Sequence, residues 1–142
     1  MRVIRCGVFE TNSSSTHSIT IAGEQCTQRE TLPVEDGMCR IYPGKFGWEE
    51  RTYFDAATKA SYCLTWAKQC ENDATLGMLR RVVASETNAE VLFCESVDDY
   101  YKWGDIDHQS NHIAAEAFES DNLLRHFIFC PESILVTDND NH

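Results

Sequence analysis

Basic side chains are scarce in this 142-residue chain, which has 12 Lys and Arg residues, 23 Asp and Glu residues and a net charge of −11. Residues 71–142 hold only four basic residues beside fifteen acidic ones, so this half carries the whole net charge. Nucleic-acid affinity depends on basic contacts with phosphates, and anionic membrane surfaces attract the same side chains. The composition therefore argues against direct nucleic-acid binding and against a membrane-surface protein.

Long apolar runs are also missing from the sequence. No stretch approaches the ~18–20 apolar residues of a membrane span, and no apolar segment follows the charged N-terminal residues as it would in a secretion signal. We therefore expect a cytoplasmic protein. The seven cysteines include no Cys-x-x-Cys pair, and four of them, Cys63, Cys70, Cys94 and Cys130, lie within apolar patterns. The sequence thus predicts reduced thiols, mostly buried, instead of a disulfide framework.

The chain has enough apolar residues, 42% of the total, to form a core, and its length fits one domain over residues 1–142. Ile19 and Ile21 alternate with polar residues, which predicts a half-buried strand, and Asp55 suits the N-cap of a helix. We predict strands over 3–9, 17–21, 38–42, 89–94 and 134–137, main helices over 55–70 and 74–85, and short helices near 97–103, 109–118 and 121–127. This order indicates an α+β fold, with a mixed or antiparallel sheet packed against the two main helices and short C-terminal helices.

A hydroxyl-rich run at residues 11–18 connects the first two predicted strands. Its hydroxyls and turn amides could bind a phosphate or carboxylate, and Ser15 with His17 as its base could act as a nucleophile. Ser, Thr and Asn also stabilise turns by bonding to their own backbone, and no nucleophile-elbow pattern is present. The candidate ligand-binding residues of this loop are Asn12, Ser13, Ser14, Ser15 and His17.

Aromatic side chains near a Pro-Gly turn form a second candidate site. Phe46 and Trp48 look exposed and lie near Lys45 and Arg51, and a ring beside a cation suits a nucleobase and its phosphate. A loop held on the core by its rings would give the same pattern, so both interpretations stay open. We include Phe46 and Trp48 among the candidate ligand-binding residues.

Two histidines and a carboxylate recur at a spacing of four residues. His108, His112 and Glu116 would share one face of a helix and could bind Zn²⁺ or another transition metal. The glutamate that follows the first histidine in zinc proteases is replaced by glutamine, and Asp105 with Asp107 also reads as a loop leading to a helix N-cap. These residues are weak metal candidates, and we predict no cofactor.

The acidic half contains a block of aromatic and acidic residues that suits a protein interface, because Tyr and Trp dominate interface hot spots. Such a surface could occupy a basic groove of a partner, since complementary fields steer association. The alternative is that some rings pack inward while the carboxylates are solvated. The candidate protein-interaction residues are Glu95, Asp98, Asp99, Tyr100, Tyr101, Trp103, Asp105 and Asp107.

The run FETNSSSTHS at residues 9–18 resembles the N-terminus of small uncharacterised bacteriophage proteins. The segments YPGKFGW at 42–48, IDHQS at 106–110 and TDND at 137–140 are similar to later segments of the same proteins, so the resemblance covers most of the chain. It carries no activity that can be transferred onto residues. It implies a phage protein in the cytosol of a host cell, and small phage proteins of this kind are often inhibitors or sequestering agents aimed at host defence.

These features together predict a protein that acts by binding. The acidic half favours an inhibitor of a host protein with a basic surface, and the hydroxyl-rich loop favours sequestration of a small nucleotide; a homo-oligomer stays open. The alternative is a hydrolase or phosphoesterase that uses His17, His108 or His112, with or without a metal. Because no catalytic motif is complete, we expect a binding protein before an enzyme.

Overall fold

The computed structural model describes residues 2–7, 16–23, 26, 29–47, 49–96, 102–106 and 113–138. The strands in these ranges are β1 (Arg2–Gly7), β2 (Thr16–Ile21), β3 (Met38–Ile41), β4 (Lys45–Phe46), β5 (Arg51–Tyr53), β6 (Glu90–Phe93), β7 (Asp105–Ile106) and β8 (Ile134–Thr137). The helices are α1 (Ala56–Gln69), α2 (Asp73–Thr87), a 3-10 helix (Ile113–Glu119) and α3 (Asp121–Phe129). The predicted α+β class is confirmed.

The strands of the described ranges form three small sheets. The largest has the order β1-β2-β8-β5 and is antiparallel throughout, with β8 between β2 and β5. β3 pairs with β6, and β4 pairs with β7, and both of these pairs are parallel. Strands of both directions are therefore present, but they do not form one continuous sheet.

Helix α1 is the central element of the core. Asp55 caps it as predicted, because its carboxylate accepts a hydrogen bond from the Thr58 N–H at 2.8 Å. Buried residues lie all round α1 and not on one stripe alone, and they include Tyr62, Leu64 and Trp66. Buried residues on several faces are typical of a helix that other elements surround, and α1 packs against α2, α3, β3 and β7, although Ala57 in its first turn stays exposed.

Several local predictions need correction. The predicted apolar stripe of α1 includes Cys70, which is exposed because the helix ends one residue earlier. Residues 89–94 are predicted as a buried strand, but Leu92 is 40% exposed, because β6 belongs to a two-stranded sheet with one open face. Asp105 lies in β7 and is not part of a loop before an N-cap. Of the predicted helix near 97–103, the structure describes only Lys102 and Trp103, which form a turn.

The prediction of reduced thiols is wrong for one pair of cysteines. Cys26 and Cys130 form a disulfide, although they are 104 residues apart in the chain. Cys63 is a buried free thiol, as predicted, and Cys39 is a second one. Burial raises the pKa of both. The disulfide therefore adds a covalent link to a core that also contains protonated thiols.

A close backbone contact at Gly104 fixes β7 beside β4. The φ angle of Gly104 is +74°, and a Cβ atom there would lie 2.2 Å from the carbonyl oxygen of Gly44. That carbonyl accepts a hydrogen bond from the Asp105 N–H at 2.9 Å. A side chain at position 104 would thus break both the backbone conformation and the contact.

We expect Gly104→Ala to lower the free energy of unfolding by about 2 kcal/mol, measured by urea denaturation. The matched control is Gly77→Ala within α2, where an added Cβ meets no atom within 4 Å. This control should stabilise the protein by about 0.5–1 kcal/mol, because alanine favours the helix over glycine. Equal stabilities of Gly104→Ala and the wild type would contradict the close approach of residues 44 and 104.

Candidate functional site

A groove of about 540 Å³ opens beside β3 and the start of α1. Four of its lining residues are apolar and buried: Leu32, Ile41, Phe46 and Ala60. Exposed Ala57 lines it from the first turn of α1. The volume falls in the usual range of ligand sites, about 300–1,000 Å³, and the apolar lining is typical of them.

Large apolar side chains stay exposed at the mouth of this groove. Tyr42, which lines the groove, is 52% exposed, and Val34, between two lining residues, is 43% exposed. Two lining residues, Arg40 and Lys45, are cations, and Glu35 contributes one carboxylate, 4.0 Å from the Arg40 guanidinium. The groove therefore has an apolar base, with two cations and one carboxylate among its lining residues.

One edge of β3 faces away from β6, and residues of this edge also line the groove. The carbonyls of Gly37 and Ile41 accept hydrogen bonds from β6 and the residue after it, each at 2.9 Å. Successive residues of a strand direct their backbone groups to opposite edges, so Met38, Arg40 and Tyr42 face away from β6. Met38 exchanges two hydrogen bonds with Glu35. Among the described residues, the N–H and C=O of Arg40 and the N–H of Tyr42 have no partner.

The segment after β3 is anchored on α1. The N–H of Gly44 donates to the Thr65 hydroxyl at 3.0 Å, and the Phe46 ring packs edge-on against Tyr62 with centroids 4.9 Å apart. Phe46 is only 6% exposed, so the expectation of an exposed ring is wrong, and the alternative, a ring that holds its loop on the core, is confirmed for Phe46. Trp48, the other candidate for stacking on a nucleobase, lies outside the described residues.

His17 lies inside the protein and is fully buried. Its Nε2 is 2.7 Å from the Gly47 carbonyl, which can only accept, so Nε2 carries a proton, and Nδ1 is 2.9 Å from the Tyr62 hydroxyl oxygen. Burial raises the pKa of Tyr62 well above its ordinary value, so this hydroxyl keeps its proton. Both ring nitrogens are engaged, which leaves neither of them for a ligand or for acid–base catalysis. Residues Asn12, Ser13, Ser14 and Ser15 lie outside the described residues.

The acidic candidate surface is described only in part. Glu95 is exposed, Asp105 is half-buried in β7, and Trp103 is half-buried against the core with the Lys68 ammonium 3.8 Å from its ring centroid. Asp98, Asp99, Tyr100, Tyr101 and Asp107 lie outside the described residues, so the interface stays a prediction. Of the weak metal candidates, Glu116 is half-buried on the 3-10 helix, and His108 and His112 lie outside the described residues.

Sequence reasoning missed a buried lysine. Lys59 is fully buried, and its ammonium donates to the carbonyls of Cys130 and Ser133 at 2.8 and 2.9 Å. Desolvation lowers the pKa of Lys59 from 10.5 to about 8, against the opposing charges of Glu30 and Asp55. The spacing could have revealed it, since Lys59 follows Ala56 by three positions and therefore lies on the predicted apolar face of α1.

No family model matches this chain, and no match was found among curated proteins or solved structures. No helix in the described part of the chain is long and apolar enough to cross a membrane.

Proposed function

We propose that this protein acts by binding, and that the groove beside β3 receives an extended segment of a partner protein. The observation that carries this proposal is the set of backbone groups at Arg40 and Tyr42 that have no partner within the described part of the chain, two residues that also line the groove. An open strand edge is a template for an added strand. A segment pairing with Arg40 would satisfy these groups and direct alternate side chains into the groove.

The lining residues define the chemistry of the segment that fits. The base formed by Leu32, Ile41 and Ala60 favours an apolar side chain, and the exposed Arg40 guanidinium favours a carboxylate near it. Small-nucleotide sequestration has less support, because Phe46 offers no exposed ring face and His17 no free nitrogen. The hydrolase alternative likewise loses His17 as an acid–base group.

The resemblance to phage proteins supports a host protein as the partner, bound in the host cytosol and inhibited by this binding. A defence protein is the target class that the resemblance favours. The acidic half would then supply a second contact to a basic surface of the same partner through Glu95 and its neighbours. This contact would change the association rate and its salt dependence more than the final affinity.

The first test fills the groove. Ala57→Trp adds a large ring at an exposed groove position of α1, and Ala74→Trp makes the same change at an exposed position in the first turn of α2. Polypeptides captured from a bacterial lysate by the wild type are identified by mass spectrometry, and the affinity of a purified partner is then measured for each variant. We expect Ala57→Trp to lose at least tenfold in affinity and Ala74→Trp to bind as the wild type does.

The second test addresses strand pairing directly. Arg40→Pro removes an N–H that has no partner among the described residues, at a strand edge that tolerates proline. Arg40→Ala keeps that N–H and removes only the side chain, so it is the matched control. Pairing predicts that Arg40→Pro weakens partner binding well beyond the effect of Arg40→Ala.

Other outcomes would overturn this proposal. A partner retained by Ala57→Trp and lost when Glu95 is replaced by Gln would place binding on the acidic surface. A captured nucleotide without any protein would favour sequestration. If the molecular mass in solution rose with protein concentration for the wild type, and were lower for Ala57→Trp, the occupant of the groove would be a second copy of the chain.

A further inference from the structure

We propose that the reduced Cys26–Cys130 pair, together with Glu132, binds a thiophilic divalent metal ion such as Zn²⁺. The two sulfur atoms and a carboxylate oxygen of Glu132 all lie within 4.8 Å of one another. Cys26 and Cys130 are joined as a disulfide in the structure, with their Cα atoms 6.2 Å apart. The proposal does not depend on the groove or on its partner.

The turn that carries two of the ligands is held in place without the disulfide. The N–H of Ser133 donates to the Cys130 carbonyl at 2.9 Å, and the Lys59 ammonium donates to the carbonyls of both residues. The Ser133 hydroxyl donates to the His126 carbonyl at 2.6 Å and accepts from the Ala22 N–H at 2.8 Å. Cys130 and the intervening Glu132 therefore keep their relative positions when the sulfur–sulfur bond is broken.

The three side chains also provide access and a suitable ligand set. Cys130 is buried, Cys26 is half-buried and Glu132 is exposed, so an ion can enter from the side of Cys26 and Glu132. Thiolates select Zn²⁺ and other soft ions over Mg²⁺ and Ca²⁺. Three protein ligands leave one position of a tetrahedral Zn²⁺ ion for water or another ligand.

Metal binding requires two steps, reduction of the disulfide and then coordination of the ion by the thiolates. A dithiol reductant transfers two electrons and two protons to the disulfide, which yields two thiols while the reductant forms its own disulfide. The metal ion then forms two metal–sulfur bonds, and the two thiol protons are released to solvent. The oxidised protein has no thiolate at this position and should not bind the ion there.

The test uses the full chain and Co²⁺ as a spectroscopic probe for the Zn²⁺ site. The protein is reduced with a phosphine and titrated with Co²⁺, while sulfur-to-cobalt charge-transfer absorption is recorded in the near ultraviolet. We expect one Co²⁺ per chain, displacement of Co²⁺ by Zn²⁺, and no such absorption for the oxidised protein. Cys26→Ser should abolish the band, and Glu132→Gln should weaken binding at least tenfold.

Two variants serve as matched controls. Cys70→Ser removes an exposed free thiol, and Glu90→Gln neutralises an exposed carboxylate, both outside the cluster. Both should bind Co²⁺ as the wild type does. The absence of one-to-one binding, or an equal loss in Cys70→Ser and Cys26→Ser, would overturn the proposal. If the reduced chain loses its circular-dichroism signal, Zn²⁺ must restore it, and failure to do so would overturn the proposal as well.

Discussion

Replacing Cys26 by serine should lower the free energy of unfolding by about 4–5 kcal/mol under non-reducing conditions without added metal. The disulfide closes a segment of 104 residues, and a cross-link stabilises mainly by reducing the freedom of the unfolded chain, more so for long segments. Total stabilities of single domains are about 5–15 kcal/mol. The loss would therefore be a large part of the total, and urea denaturation measures it directly.

Two comparisons make this expectation specific. The wild type treated with a reductant should have the stability of Cys26→Ser, because both lack the same cross-link. Cys70→Ser, which removes an exposed free thiol, should stay within about 0.5 kcal/mol of the wild type. The disulfide would be contradicted if Cys26→Ser were as stable as the untreated wild type. It would also be contradicted if the mass of the untreated wild type were not two hydrogen atoms below that of the fully reduced chain.

Lys59 should make the stability of the protein depend on alkaline pH. Its pKa is about 8 in the folded state, against 10.5 as the ordinary value, because the ammonium is desolvated. A shift of this size corresponds to about 3 kcal/mol. Between these two pH values the unfolded chain binds more protons than the folded protein, so the contribution of Lys59 to stability rises with pH. Below pH 8 its burial is fully unfavourable, and near pH 10.5 that cost is relieved.

Comparison with Lys59→Met isolates this contribution. The difference in unfolding free energy between the wild type and Lys59→Met should move in favour of the wild type by up to about 3 kcal/mol from pH 7 to pH 10.5. Cys63 stays in both proteins, so the opposing effect of its raised pKa largely cancels. Lys102→Met removes an exposed lysine and should leave the slope unchanged. A constant difference for Lys59→Met would show that Lys59 is hydrated in the folded protein.

The elements that sequence reasoning predicted well are those with a clear local pattern. β8 has the predicted bounds 134–137, β2 alternates as expected, and Asp55 caps α1. β4, β5 and β7 were missed because they have two or three residues each, too few to show a period. Their pairing depends on tertiary contacts, as when Lys45 of β4 lies beside Asp105 of β7.

The candidate sites were harder to predict, for physical reasons. A run with two aromatic residues shows that rings are present, but not whether they face the core or the solvent. Phe46 proved to be buried. Seven cysteines allow many pairings, and only folding brings Cys26 to Cys130. The groove beside β3 joins segments around residues 32, 41 and 57, and its open edge follows from the parallel pairing with β6, which no local pattern encodes.

The position of β8 in its sheet sets an order of events during synthesis. β8 lies between β2 and β5, yet a ribosome makes it after both of them. At about 5–20 residues per second, the chain from β5 to β8 takes about 4–17 seconds to make. During that time β2 and β5 each have a strand edge that the finished protein covers. The four-stranded sheet can therefore close only after residue 137 has left the ribosome, and a nascent chain stalled earlier should be prone to pair with other strands.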